Sequence, residues 1–141
     1  LYTAVGVHSG LACGSARDVG SAFAAMRSGG AGSAKTGQIV PTIVFHADRD
    51  TTVNPINGDQ VIAQSGGGAL RAMVERGQVP GGHGWTRTMH QDTEGRVMLE
   101  QWVVHGGGHA WSGGSADGTY TDPRGPDASR EMLRFFAQHG R

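Results

Sequence analysis

The sequence predicts an α/β fold, a mostly parallel sheet with flanking helices, and three observations carry that prediction. Apolar runs that read as strands alternate along the chain with amphipathic stretches that read as helices, the order that builds layered α/β domains. Pro41-Thr42-Ile43-Val44-Phe45 is a compact β-branched and aromatic run bounded by turn residues, the pattern of a strand buried on both faces of a parallel sheet. The joints between segments are rich in glycine, which makes up 25 of the 141 residues.

Taken in order, Tyr2 to Val7 reads as a short strand closed by the turn His8-Ser9-Gly10. From Ala16 to Arg27, Val19, Ala22, Phe23 and Met26 recur at helical spacing, with Asp18 placed to cap, and Gly29-Gly30-Ala31-Gly32 ends the helix. After the buried strand and the turn Ala47-Asp48-Arg49-Asp50, Asn54-Pro55 opens a helix that runs to about Gln64 and stops at Gly66-Gly67-Gly68. Ala69 to Gly84 gives no clear pattern beyond Leu70, Met73 and Val74. Trp85 to His90 and Arg96 to Val104 flank Gln91-Asp92-Thr93-Glu94-Gly95 and read as two antiparallel strands. Pro126-Asp127 opens a last helix with Ala128, Met132, Leu133, Phe135 and Phe136 on its apolar face and Arg130 and Arg134 on the solvated side.

Twelve basic residues balance twelve acidic ones, so no basic face for phosphates is predicted, and nucleic acid is not an expected partner. No apolar run approaches the roughly 20 residues that cross a bilayer, and no basic amphipathic helix suggests a membrane surface. Leu, Ile, Val and Phe number only 25 together, a thin core. Cys13 is the single cysteine, so no internal disulfide or thiolate cluster can form. The first residue is Leu1 rather than Met and no charged or apolar leader pattern follows it, so something upstream is expected to have been removed or to lie outside these residues.

Two patterns invite readings that their contexts oppose. Gly29-Gly30-Ala31-Gly32-Ser33-Ala34-Lys35-Thr36 falls one residue short of a phosphate-binding loop, but it follows a helix and precedes a strand, the reverse of what such a loop needs. His105 and His109 have the i, i+4 spacing of two zinc ligands, yet three glycines separate them, which opposes a helix. No metal and no cofactor is expected.

In open α/β sheets the reacting groups gather on loops beyond the C-terminal ends of strands. Here the buried strand delivers Asp48 and Asp50, and the strand ending at Val104 delivers His109 within Gly106-Gly107-Gly108-His109-Ala110-Trp111-Ser112-Gly113-Gly114. An acid after one strand and a histidine after a later one is the order Asp then His that follows the serine in an α/β-hydrolase triad. In that chemistry imidazole takes the serine proton and returns it to the leaving group, while the carboxylate holds the tautomer and stabilises imidazolium. Trp111, close to His109, is a candidate apolar wall for an acyl or alcohol group.

The segment from His46 to Asn57 resembles the acid loop of the polyhydroxybutyrate depolymerase family of esterases. Gly108 to Gly114 and Thr121 to Ser129 are similar to its later loops, and Val7-His8-Ser9-Gly10-Leu11 is similar to its strand and turn after the nucleophile helix. Similarity covers most of the chain and is weakest at Arg27 to Gln38 and Ser65 to Gly84. The resemblance implies the C-terminal part of an α/β-hydrolase fold, residues 1–141 forming that portion of one domain without its nucleophile-bearing N-terminal portion. It puts the triad acid on Asp50 and the base on His109, and implies a secreted serine esterase acting on hydroxyalkanoate oligomers or polymer, or on acyl esters of plant polysaccharides. The chain departs from the family pattern at Ala47, where glycine is common, and in having no Gly-x-Ser-x-Gly. The expected partners are therefore an ester substrate and either the absent N-terminal portion or a swapped neighbour along the first strand's open edge. The rival expectation is a noncatalytic hydrolase fragment that only binds a partner.

Overall fold

The computed structural model describes residues 3–30 and 37–140. Their elements run β1 (Val5–His8), α1 (Val19–Ser28), β2 (Thr42–Ala47), α2 (Ile56–Gln64), a 3-10 turn (Gly67–Ala69), β3 (Arg71–Gln78), β4 (Gly84–Gln91), β5 (Val97–Val104), β6 (Trp111–Ser112), β7 (Thr121–Asp122) and α3 (Ala128–His139). Five strands form one sheet in the order β1-β2-β5-β4-β3, and β6 pairs with β7 apart from it.

The mostly parallel sheet expected from the sequence, and with it the C-terminal part of an α/β-hydrolase fold, is contradicted. The sheet is mixed: parallel ladders of four and six residue pairs join β1-β2 and β2-β5, while antiparallel ladders of eight and seven join β3-β4 and β4-β5. The described residues form a small domain of this mixed sheet and three helices. The difference comes largely from β3, which the sequence hides. It is an edge strand exposed along nearly its whole length, so neither face carries the apolar alternation that marks a strand. Its charged Arg71, Glu75 and Arg76 suit an edge that must not pair with another chain.

All six residues of β2 are buried, and successive side chains feed opposite faces of the sheet. Ile43, Phe45 and Ala47 pack with Trp102 and Val104 against Ala128, Met132 and Phe135 of α3. Val44 and Leu99 pack on the other face against Val61 and Ile62 of α2, with Ala12 beside them. Each large side chain fully buried in this way contributes roughly 1.5–3 kcal/mol.

Asp18 caps α1, accepting from the Ser21 amide while the Ser21 hydroxyl reaches back to the Asp18 amide. The apolar face predicted for this helix is not a core face, because Val19 and Phe23 are 73% and 56% exposed. Asn54 Oδ1 accepts from the Ile56 amide at the start of α2, and buried Asn57 donates to Ala25 O and Asn54 O, which ties α2 to α1. Asp127 caps α3 through the Arg130 amide. Leu133, placed on the apolar face of α3 by its spacing, is 69% exposed, whereas Met132 and Phe135 are buried.

Arg134 does not lie on the solvated side. It donates to Glu100 on β5, a fully buried carboxylate that also accepts from Arg87 Nε and Nη2 and from the Trp102 indole N–H. The phosphate-loop-like run falls mostly at 31–36, outside the described residues.

Candidate active site

Asp50 and His109 meet because their strands are neighbours. β2 and β5 run parallel with Ala47 opposite Val104, so the loops that leave both C-terminal ends start side by side. Backbone bonds extend the contact past the strands: the Asp48 amide donates to Val104 O at 3.0 Å and the Arg49 amide to Gly107 O at 3.1 Å. A Cβ on Gly107 would stand 3.2 Å from that of Ala47, so these two small residues let the loops close on each other. Gly106 has φ +84°, a left-handed turn that suits glycine and swings the chain toward Asp50.

The two predicted site residues form a hydrogen-bonded pair, His109 Nδ1 donating to Asp50 Oδ2 at 2.8 Å. The Asp50 side chain is fully buried, and its other oxygen accepts from the Thr52 and Val53 amides at 2.9 and 2.8 Å. Three donors converge on one carboxylate, which compensates its removal from water and fixes its orientation. Because a carboxylate only accepts, the proton sits on His109 Nδ1 and the neutral ring offers its Nε2 lone pair. The His109 side chain is 33% exposed, and Nε2 has no hydrogen-bond partner among the described residues. That is the arrangement of an oriented general base.

Asp48, the competing acid, is about 40% exposed and engages a different histidine: His105 Nδ1 lies 2.8 Å from its Oδ2, and the Gly106 amide donates to its Oδ1. Burial alone would raise the Asp48 carboxyl, but the Gly106 amide and His105 outweigh it and hold it below the usual range. His46 Nε2 donates to Val53 O at 2.8 Å and lies 3.3 Å from Asp50, so it braces the acid loop from beneath.

Trp111, the predicted substrate wall, is 37% exposed. One ring face stacks on His8 at 4.6 Å and its indole N–H donates to Ser129, which leaves a rigid aromatic surface close to the base. His8, which its turn crowded by Ser9 and Gly10 reads as structural rather than reactive, lies against Trp111. Its Nε2 accepts from the Ser112 amide at 3.0 Å, its Nδ1 faces Ser9 Oγ at 3.0 Å, and it stacks between Phe45 and Trp111. His8 ends β1 opposite Phe45, so it stands beside the end of β2 that carries the acid loop. Ser9, with φ +52°, is in a conformation unusual for a side-chain-bearing residue. It is not an activated nucleophile, because the His8 lone pair is taken by the Ser112 amide and its Nδ1–H donates to Ser9.

Burial above all, with His46 and His109 nearby, pushes His8 down from 6.5 to about 4 against the pull of Asp50. Folded His8 is therefore neutral where the unfolded chain already binds a proton, so stability falls as pH drops from about 6.5 to about 4 and levels off below. His90 and His139 are shifted the same way, chiefly by burial, and add their own share. His8→Gln, whose side-chain oxygen can still accept from Ser112, is expected to flatten part of that slope in urea unfolding measured across the window. An unchanged slope would show that His8 titrates normally.

A hollow of about 550 Å³ lies beside β1, lined by residues such as Val5, Leu11, Ile39 and Val61, and includes neither Asp50 nor His109. A smaller recess is walled by His8, Ala47, Gly107, Gly108, Ala110 and Ser112, which flank the pair along the chain, and not by Asp50 or His109 themselves. No group of three His, Cys, Asp or Glu side chains placed to hold a metal occurs among the described residues, and the i, i+4 pair His105 and His109 goes to two separate carboxylates.

No family model and no curated protein matches the chain.

Proposed function

We propose that this chain carries the acid and base of a serine esterase similar to the polyhydroxybutyrate depolymerases, which hydrolyses carboxylic esters through an acyl-enzyme. The observation that carries the reading is the buried, triply bonded Asp50 holding His109 by Nδ1 while Nε2 stays open. His109 Nε2 takes the proton of a serine hydroxyl as its oxygen attacks the ester carbonyl, then gives that proton to the departing alcohol. Water enters next, loses a proton to the same nitrogen, and releases the acid as the serine oxygen recovers its proton. Asp50 stays ionised throughout and stabilises the imidazolium.

The serine and the oxyanion donors belong, in this proposal, to residues outside these 141, because no Gly-x-Ser-x-Gly occurs here and Ser9 is not activated. Those residues come from elsewhere in the same protein or from a swapped neighbour. The open ring face of Trp111 would line the acyl or alcohol side of the substrate, whether a hydroxyalkanoate chain or an acylated polysaccharide. Secretion belongs to the same proposal.

Turnover of 4-nitrophenyl butyrate tests it. The full-length protein should hydrolyse the ester, and the 141-residue chain alone should show no rate above its own His109→Ala control. A serine-dependent rate from these residues alone would overturn the assignment of the nucleophile, and an inactive full-length protein would favour a noncatalytic binding role.

A further inference from the structure

We propose that Asp48 and His105 are positioning residues: a second, non-reacting Asp–His pair that latches the base loop onto the acid loop and so sets the distance between Asp50 and His109. The inference rests on the reading of Asp50 and His109 as the acid–base pair.

The two pairs are built from the same two loops. Asp48 and Asp50 are two residues apart after β2, and His105 and His109 are four apart after β5, so each loop sends one member to each pair. The latch has three bonds. His105 Nδ1 donates to Asp48 Oδ2 at 2.8 Å, the Gly106 amide donates to Asp48 Oδ1 at 2.8 Å, and the Thr86 hydroxyl of β4 donates to His105 Nε2 at 2.7 Å. Thr86 thereby fixes the His105 ring and its tautomer from the neighbouring strand, since a carboxylate can only accept at Nδ1.

Both nitrogens of His105 are engaged, so unlike His109 it has no lone pair to offer a substrate hydroxyl. Its place in the chain gives it another use. His105 and Gly106 begin the loop at the point where it leaves β5, just before the left-handed turn at Gly106. With the latch closed, only Gly107 and Gly108 separate the pinned Gly106 from the base. With it open, the loop keeps backbone bonds from Asp48 and Arg49 but loses both side-chain anchors at its start. Glycines are the residues least able to hold a bend unaided, so His109 depends on an anchor beside them. The His105 and Asp48 side chains are 45% and 40% exposed, so removing them leaves no buried orphan and the fold should persist.

The test pairs a rate with a direct view of the His109 hydrogen bond. In the full-length protein, His105→Ala is expected to lower kcat for 4-nitrophenyl butyrate by about tenfold to 100-fold, the range a small misplacement of a reacting group produces, with KM within about twofold. The downfield proton resonance of His109 Nδ1–H should exchange at least about tenfold faster with water, as expected of a bond that opens locally. His105→Asn, whose amide nitrogen can occupy the place of Nδ1, should restore both readings, and Asp48→Ala, which removes the Gly106 bond as well, should lose at least as much. A folded His105→Ala protein with unchanged kcat and unchanged His109 resonance would overturn the proposal, as would failure of His105→Asn to rescue either reading. If no ester is hydrolysed even by the unaltered protein, the resonance alone decides the latch, so its failure is separable from failure of the esterase reading.

Discussion

Asp50→Asn in the full-length protein is expected to lower kcat for ester hydrolysis by about 10⁴, and His109→Ala by about 10⁶, the scale on which triad members act as a unit. The geometry explains why so small a change as Asp50→Asn is so costly. Oδ1 accepts from the Thr52 and Val53 amides, so the asparagine must place its oxygen there and turn its NH₂ toward His109. Two donors cannot face each other, and His109 answers by moving its proton to Nε2. The nitrogen meant to receive the serine proton is then already protonated. Steady-state kinetics of the two variants beside Asp48→Asn check this. A harmless Asp50→Asn would show that the acid is misassigned.

The largest effect on stability is expected at Glu100. Its buried carboxylate accepts four N–H groups, from Arg87, Arg134 and Trp102, and joins α3 to β4 and β5. Truncation to alanine strands the indole N–H and takes from Arg87 and Arg134 their buried counter-ion, leaving them Glu75 and Glu131. Losing one partner of a buried ionic cluster costs about 3–5 kcal/mol, because the remaining charges keep their desolvation with less to compensate it. The Arg87 and Arg134 side chains are 20% and 30% exposed and can turn partly to water, which places Glu100→Ala near the lower end, about 3 kcal/mol. Urea unfolding measures it directly. A loss under about 1 kcal/mol would mean that the cluster is already solvated.

The site was more legible than the sheet that holds it. Thr42 to Phe45 announces a strand buried on both faces by its β-branched run, and the loop after it carries the carboxylate that binds His109. The order of acid and base needs only the positions of strand ends, which turn residues mark well. Strand direction is different, because it is fixed by partners distant in sequence. β3 has no apolar alternation to betray it. Gly77, a residue that argues against a strand on paper, is there because a Cβ would run into the Trp85 ring on β4.

Phe23 and Leu133 fail for the opposite reason. Their spacing is helical and apolar, but periodicity reveals a face and not what covers it. Among the described residues nothing buries them, at 56% and 69% exposure. His105 was unreadable because the order of acid then base singles out one pair of side chains, and a second pair on the same two loops shows only once they meet.

Whether His109, held by Asp50, activates a serine is read from the rate at which a fluorophosphonate labels the full-length protein. One phosphonate per chain is expected, on a single serine, with the labelling rate falling by orders of magnitude in His109→Ala. Labelling that proceeds equally fast without His109, or no serine labelled in the unaltered protein, would contradict it.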